Sequence, residues 1–213
     1  MALSIKPNGR WEILGLAVRS EGESAKNGEE VLKDLWRRGV RRVRIFVKDD
    51  LPGLEEAIRK IFPEADGQLC VLHAVREALN QARKADREAL AADLKAVYRA
   101  ETEEEAKEGL KRLRERWGTV YPRVVACWET KAYALLAFLG HPKPIRRYLP
   151  NPLERVAKEV KRRTKVVEVF CGEEAVEKLL YLVLRSLNER QEGRRLRGFA
   201  GINMGSYHAA QTQ

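Results

Sequence analysis

The chain has 213 residues, enough to bury a substantial core in one or two domains. Lys and Arg number 41 against 31 Asp and Glu, and the formal net charge of +10 favours a polyanionic partner, nucleic acid first, although a basic surface can also simply solvate long helices. Three widely spaced cysteines, Cys70, Cys127 and Cys171, exclude a disulfide framework and a paired-cysteine zinc finger, and no signal peptide or apolar run of membrane-spanning length is present.

In chain order, Ala2 to Ile5 and Trp11 to Val18 read as a hairpin around Pro7-Asn8-Gly9. A helix is expected over Glu29 to Arg38, with Val31, Leu32, Leu35 and Trp36 on one face and Gly39 as its stop. Val43, Ile45 and Val47 alternate as a strand that runs into Asp49-Asp50. Leu54, Ile58, Ile61 and Phe62 resume helical spacing until Pro63. Strand, helix, strand and helix in succession indicate α/β organisation.

From His73 the pattern is helical as far as the Gly140-His141-Pro142-Lys143-Pro144 turn. Thr102 and Glu105 make a capping-box start inside that block. Flanked by strand–helix sequence and by turns, the block reads as an insertion into a single domain. A helix is expected after Asn151, with Leu153, Val156, Ala157 and Val160 on its apolar side, and another over Glu174 to Asn188. The tail Gly201 to Gln213 has no apolar periodicity and is expected to be disordered.

Few residues carry chemistry by themselves. Asp49 ends a predicted strand, where α/β folds place ligands and metals, but Asp is equally a turn former, and Asp50 shares that ambiguity. Asn151, Pro152 and Glu154 fit a helix start, and a cap requires no catalysis. Beyond it Arg155, Lys158, Lys161, Arg162, Arg163 and Lys165 oppose Glu159 alone, a stripe that could neutralise phosphates or merely face water. Cys70 and His73 would share a helix face, yet two ligands are too few for structural zinc, and a packed pair at the core edge is the simpler reading. His141 and His208 suggest neither nucleophile nor base, and no phosphate-binding glycine loop or Ser-His-Asp set occurs.

Taken together, Val47-Lys48-Asp49-Asp50-Leu51-Pro52-Gly53-Leu54, Phe62-Pro63-Glu64-Ala65 and Cys70-Val71-Leu72-His73-Ala74-Val75-Arg76 resemble the core of the Mutator-type transposases of bacterial insertion sequences. Later blocks fall in the same order: Asp93 to Tyr98, Trp117-Gly118 with Tyr121-Pro122, Trp128, Ile145 to Tyr148, Asn151-Pro152-Leu153-Glu154 and Arg163-Thr164-Lys165. The likeness covers roughly Ala2 to Gly198.

The resemblance implies an α/β, RNase H-like (DDE) core with an all-helical insertion and a missing N-terminal strand. Its divisions would be 1–69, a partial core; 70–148, the insertion; 149–200, a return to the core with the Glu helix and basic stripe; and 201–213, the tail. It implies a triad of carboxylates holding two ions, Mg²⁺ or Mn²⁺, for DNA strand cleavage and transfer. Asp49 would be the second Asp and Glu154 the Glu, both catalytic and metal-ligating. Cys70 and His73 match a Cys-or-Asp-x-x-His signature. Trp117 or Trp128 would match an insertion-domain tryptophan that contacts DNA or fixes the insertion, and Arg155, Lys158, Lys161, Arg162, Arg163 and Lys165 would contact DNA.

Departures temper the likeness. The first Asp and the end-recognition helices would precede Ala2, so this chain is expected to be catalytically incomplete by itself. Leu149-Pro150 stands where the family tends to have two threonines. Two functions remain: the catalytic-domain portion of a transposase, or a non-catalytic DNA-binding or transposase-modulating module derived from one. The expected partners are DNA, as transposon ends and target, and a second copy or a full-length transposase, with no membrane; the expected location is the cytoplasm, at the nucleoid when DNA-bound.

Overall fold

A computed structural model describes residues 2–15, 25–149, 154–165 and 172–199. It is a mixed α/β structure, rich in helix, and divides into two compact units: residues 1–41 with 152–213, and residues 42–151.

In the first unit β1 (Ala2–Ile5) pairs antiparallel with β2 (Trp11–Gly15). The tight turn falls where Pro7-Asn8-Gly9 predicts it: Gly9 takes φ 79°, a region open to glycine at no steric cost, and the Arg10 amide donates to Asn8 Oδ1 at 3.0 Å. Residues 16–18 of the expected returning strand lie outside the described residues. Helix α1 (Ala25–Arg37) begins earlier than the expected Glu29 and stops as predicted. Gly39 at φ 96° turns the chain, its amide donating to the Trp36 carbonyl and that of Val40 to Leu35, the paired bonds of a Schellman stop.

Helices α9 (Glu154–Thr164) and α10 (Glu173–Gln191) complete the unit. Val156 of α9 and Val183, Leu184 and Leu187 of α10 form a buried cluster with Ile13 of β2. The Asn188 side chain fixes this packing, accepting from the Ile13 amide at 2.8 Å and donating to the Ile13 carbonyl at 3.1 Å. The tail from Gly201 lies outside the described residues.

In the second unit β3 (Ile45–Lys48) is parallel to β4 (Asp66–Leu69), with α2 (Leu54–Ile61) between them in sequence. The β4 strand is not apparent in the sequence. Asp66 and Gly67 are poor strand formers, but Gly67 leaves room for the Glu55 carboxylate, which would lie 2.5 Å from a Cβ there and which binds Lys48 at 3.2 Å.

Helices α3 (Val71–Gln81), α4 (Arg87–Tyr98), α5 (Glu103–Trp117) and α6 (Pro122–Thr130) follow. Short α7 (Ala132–Leu135), a 3-10 turn at Ala137–Gly140 and α8 (Lys143–Arg146) close the block. Thr102 caps α5 as expected, its hydroxyl accepting from the Glu105 amide at 3.1 Å; Glu105 reaches back to the Glu101 amide, one residue before the usual capping-box partner.

One core joins this block to the strands, running from Leu69 and Val71 through Leu90, Leu94, Val97 and Leu113 to Trp117, Trp128 and Leu135. At its floor lies Gln68, fully buried. Its amide donates to the carbonyls of Leu69 and Leu135, and its Oε1 accepts from the Phe138 amide, each at 2.8 Å. A buried amide with its partners satisfied ties β4 to the end of the helical block. Nearby His141 is also buried, its Nε2 3.3 Å from Asp66, and burial lowers its pKa. No helix among the described residues is long and apolar enough to cross a membrane.

Candidate functional site

The parallel register builds the site. Lys48 is opposite Leu69, the last pair of the ladder, so Asp49 and Cys70 leave the sheet side by side. The Cys70 amide donates to the Lys48 carbonyl at 2.7 Å, which holds the two chain ends together. Cys70 is also the N-cap of α3, and His73 follows one turn into that helix. Strand ends and a helix start thus converge at one corner, the place where parallel sheets present chemistry.

There Asp49 Oδ1 and His73 Nδ1 stand 2.6 Å apart, with both side chains about half exposed at 49% and 50%. Ligand atoms of Asp49, Cys70 and His73 all lie within 4.8 Å of one another. Burial, the largest influence, raises the Cys70 pKa, against opposing hydrogen bonds from the His73 and Leu72 amides. Asp50 turns aside and pairs with Lys131, whose pKa that hydrogen bond raises. Among the described residues Asp49 pairs with His73 and with no lysine or arginine, and its exposed oxygens suit a hard divalent cation. Sequence spacing alone brings Cys70 and His73 together; the third member comes from the register of β3 on a strand that composition conceals.

Glu154 is the first residue of α9, in the first unit. Its side chain, that of Arg155, and Asn151 to Leu153 lie outside the described residues. Beyond them α9 is amphipathic: Val156 is buried and Val160 packs beside it, while Lys158, Lys161, Arg162 and Lys165 are exposed and Arg163 is half-buried. Glu159 accepts from Arg162 at 2.9 Å, a bond that lowers the Glu159 pKa. Lys158, Lys161, Arg162 and Lys165 of the expected stripe therefore lie on the face of the helix opposite its core contacts, whereas Arg163, two turns beyond Val156, lies on the core side.

The two tryptophans are core residues. Trp128 is 2% exposed and Trp117 6%, and the Trp117 indole donates to Asp93 at 2.7 Å. Of the two roles expected for them, fixing the helical block is the one their burial supports.

These features define a helix-rich α/β protein with a carboxylate–thiol–imidazole corner and a basic amphipathic helix. The chain belongs to the Mutator family of transposases: the family described as "Transposase, Mutator family" matches residues 1–192. It is 34% identical over 193 residues to the transposase for insertion sequence element ISRM3 of Rhizobium meliloti (strain 1021), covering 89% of this chain and 48% of that protein. It is 32% identical over 201 residues to the transposase for insertion sequence element IS905 of Lactococcus lactis subsp. lactis (strain IL1403), covering 93% and 51%. A probable transposase of Corynebacterium diphtheriae is 30% identical over 198 residues, covering 92% and 57%. The chain spans about half the length of these relatives.

Proposed function

We propose that this chain is the catalytic-domain portion of a DNA transposase that cleaves and joins DNA strands with divalent metal ions. The observation that carries the reading is Asp49, a half-exposed carboxylate at the end of β3 in a chain of this family. Asp49 and Glu154 are assigned as metal-ligating carboxylates by likeness to the family, within a core of RNase H-like type that the helical block interrupts. Mg²⁺ or Mn²⁺, when bound, would polarise phosphate oxygens and favour ionisation of the attacking hydroxyl.

The chain's own residues have three tasks in this reading. Asp49 holds a hard-cation site open at the strand end, and His73 orients its carboxylate through the 2.6 Å contact. Lys158, Lys161, Arg162, Arg163 and Lys165 meet the DNA backbone, which fixes position without reading sequence. Trp117 and Trp128 keep the helical block rigid.

Equilibrium binding of duplex DNA, measured against salt with and without Ca²⁺ at matched ionic strength, tests the reading. Affinity should fall steeply with salt, and replacing Lys161 and Arg162 by Ala should reduce the log–log slope by about one per cation removed. Ca²⁺ should strengthen binding in the native chain and not in Asp49→Ala. A steep salt slope with no contribution from the metal would favour the alternative, a DNA-binding or transposase-modulating module without catalysis. Binding with no salt slope would overturn both.

A further inference from the structure

The corner at Asp49 carries more than a hard-cation ligand. We propose that Asp49, Cys70 and His73 form a binding site for one thiophilic divalent ion of the zinc class, with a carboxylate, a thiolate and an imidazole as three ligands and water as the fourth. Three protein ligands with one open position is a composition that zinc-class ions accept, and thiolate with imidazole selects them over Mg²⁺.

The geometry supports the assignment on three counts. The ligand atoms lie within 4.8 Å of one another. Bonds of about 2.0–2.3 Å in a tetrahedron place ligands about 3.3–3.8 Å apart, so the 2.6 Å Asp49–His73 contact would open and the wider separations close by about 1 Å. All three side chains are partly or fully exposed, so such rotations meet no sealed core. The backbone, by contrast, is fixed: the Lys48–Leu69 register and the Cys70 amide bond to Lys48 set two ligands, and the first turn of α3 sets the third.

Binding would release the Cys70 proton to water and leave the neutral His73 ring protonated on Nε2, so that its Nδ1 lone pair and the Asp49 carboxylate meet the ion in place of the hydrogen bond between them. The site uses residues of one compact unit and does not require Glu154. Its consequence for catalysis does rest on the transposase reading: a zinc-class ion would occupy the carboxylate that Mg²⁺ needs.

Cobalt titration of the full chain tests the site, because Co²⁺ bound to a thiolate gives a near-ultraviolet charge-transfer band. One equivalent should produce the band, and one equivalent of Zn²⁺ should abolish it while excess Mg²⁺ should not. Cys70→Ser should remove it, and Cys127→Ser with Cys171→Ser should leave it intact. His73→Asn and Asp49→Asn, at exposed positions where folding is preserved, should each weaken Co²⁺ binding by more than about tenfold, the lower end of what even an outer-shell partner contributes. Glu154→Gln should leave the band unchanged, which separates this site from the Mg²⁺ reading. No band in the native chain, a band that survives Cys70→Ser, or unaltered affinity in both His73→Asn and Asp49→Asn would overturn the proposal.

Discussion

The β3–β4 corner and the helical block share one core, yet they treat polar side chains in opposite ways. In the block, the polar tips of packed aromatics are absorbed by the scaffold: the Trp117 indole donates to Asp93 at 2.7 Å, and the Tyr121 hydroxyl donates to Asp86 at 2.5 Å. At the corner, Asp49 and His73 face each other half exposed. The contrast teaches that the residues singled out in the sequence are of two kinds. Trp117 and Trp128 hold a shape, whereas Asp49, Cys70 and His73 stand where a ligand can reach them.

The largest effect expected from this contrast is on stability in the block. Trp128→Ala removes a side chain that is 2% exposed and should cost about 3–5 kcal/mol, read by denaturant unfolding. A loss below about 1 kcal/mol would mean that the indole is not the packing centre of the block. Next comes the seam between the two regions. Gln68→Leu strands the Phe138 amide and should cost about 1–3 kcal/mol, without altering the DNA salt slope. The smallest stability effect belongs to the corner: Asp49→Asn should change unfolding free energy by no more than about 0.5 kcal/mol, because the residue is a surface group. A large destabilisation there would make Asp49 a structural residue and collapse the comparison.

How far these regions were legible in the sequence follows from the physics that built them. Local chemistry reads well. Pro7-Asn8-Gly9 and Gly39 are stop and turn signals whose backbone demands are met within a few residues, and Thr102 caps the helix it was expected to cap. The amphipathic pattern of α9 gave its core face, Val156 and Val160, and its basic face together. Non-local register does not read. The β4 strand contains Asp66 and Gly67, tolerated because Gly67 admits the Glu55 carboxylate and because buried Gln68 finds partners on α7 and the following turn. Without β4 there is no reason to place Asp49 beside Cys70, so sequence spacing showed a two-residue pair where the structure has three. The burial of Trp117 and Trp128 was likewise invisible, since an aromatic landmark looks the same in sequence whether it stacks on a ligand or fills a core.

The most direct test of the claim that Asp49 is a ligand position is iron-directed cleavage of the polypeptide. Fe²⁺ is bound in place of Mg²⁺ with ascorbate and peroxide, in a Cys70→Ser background that removes the thiolate site. Radicals generated at the ion should cut the chain in the Lys48–Leu51 segment, and also near Glu154 if that residue is a ligand as assigned. Excess Mg²⁺ and the additional change Asp49→Ala should each suppress the cut at Lys48–Leu51. A cut there that Asp49→Ala leaves unchanged, or no cut in that segment at all, would contradict the account.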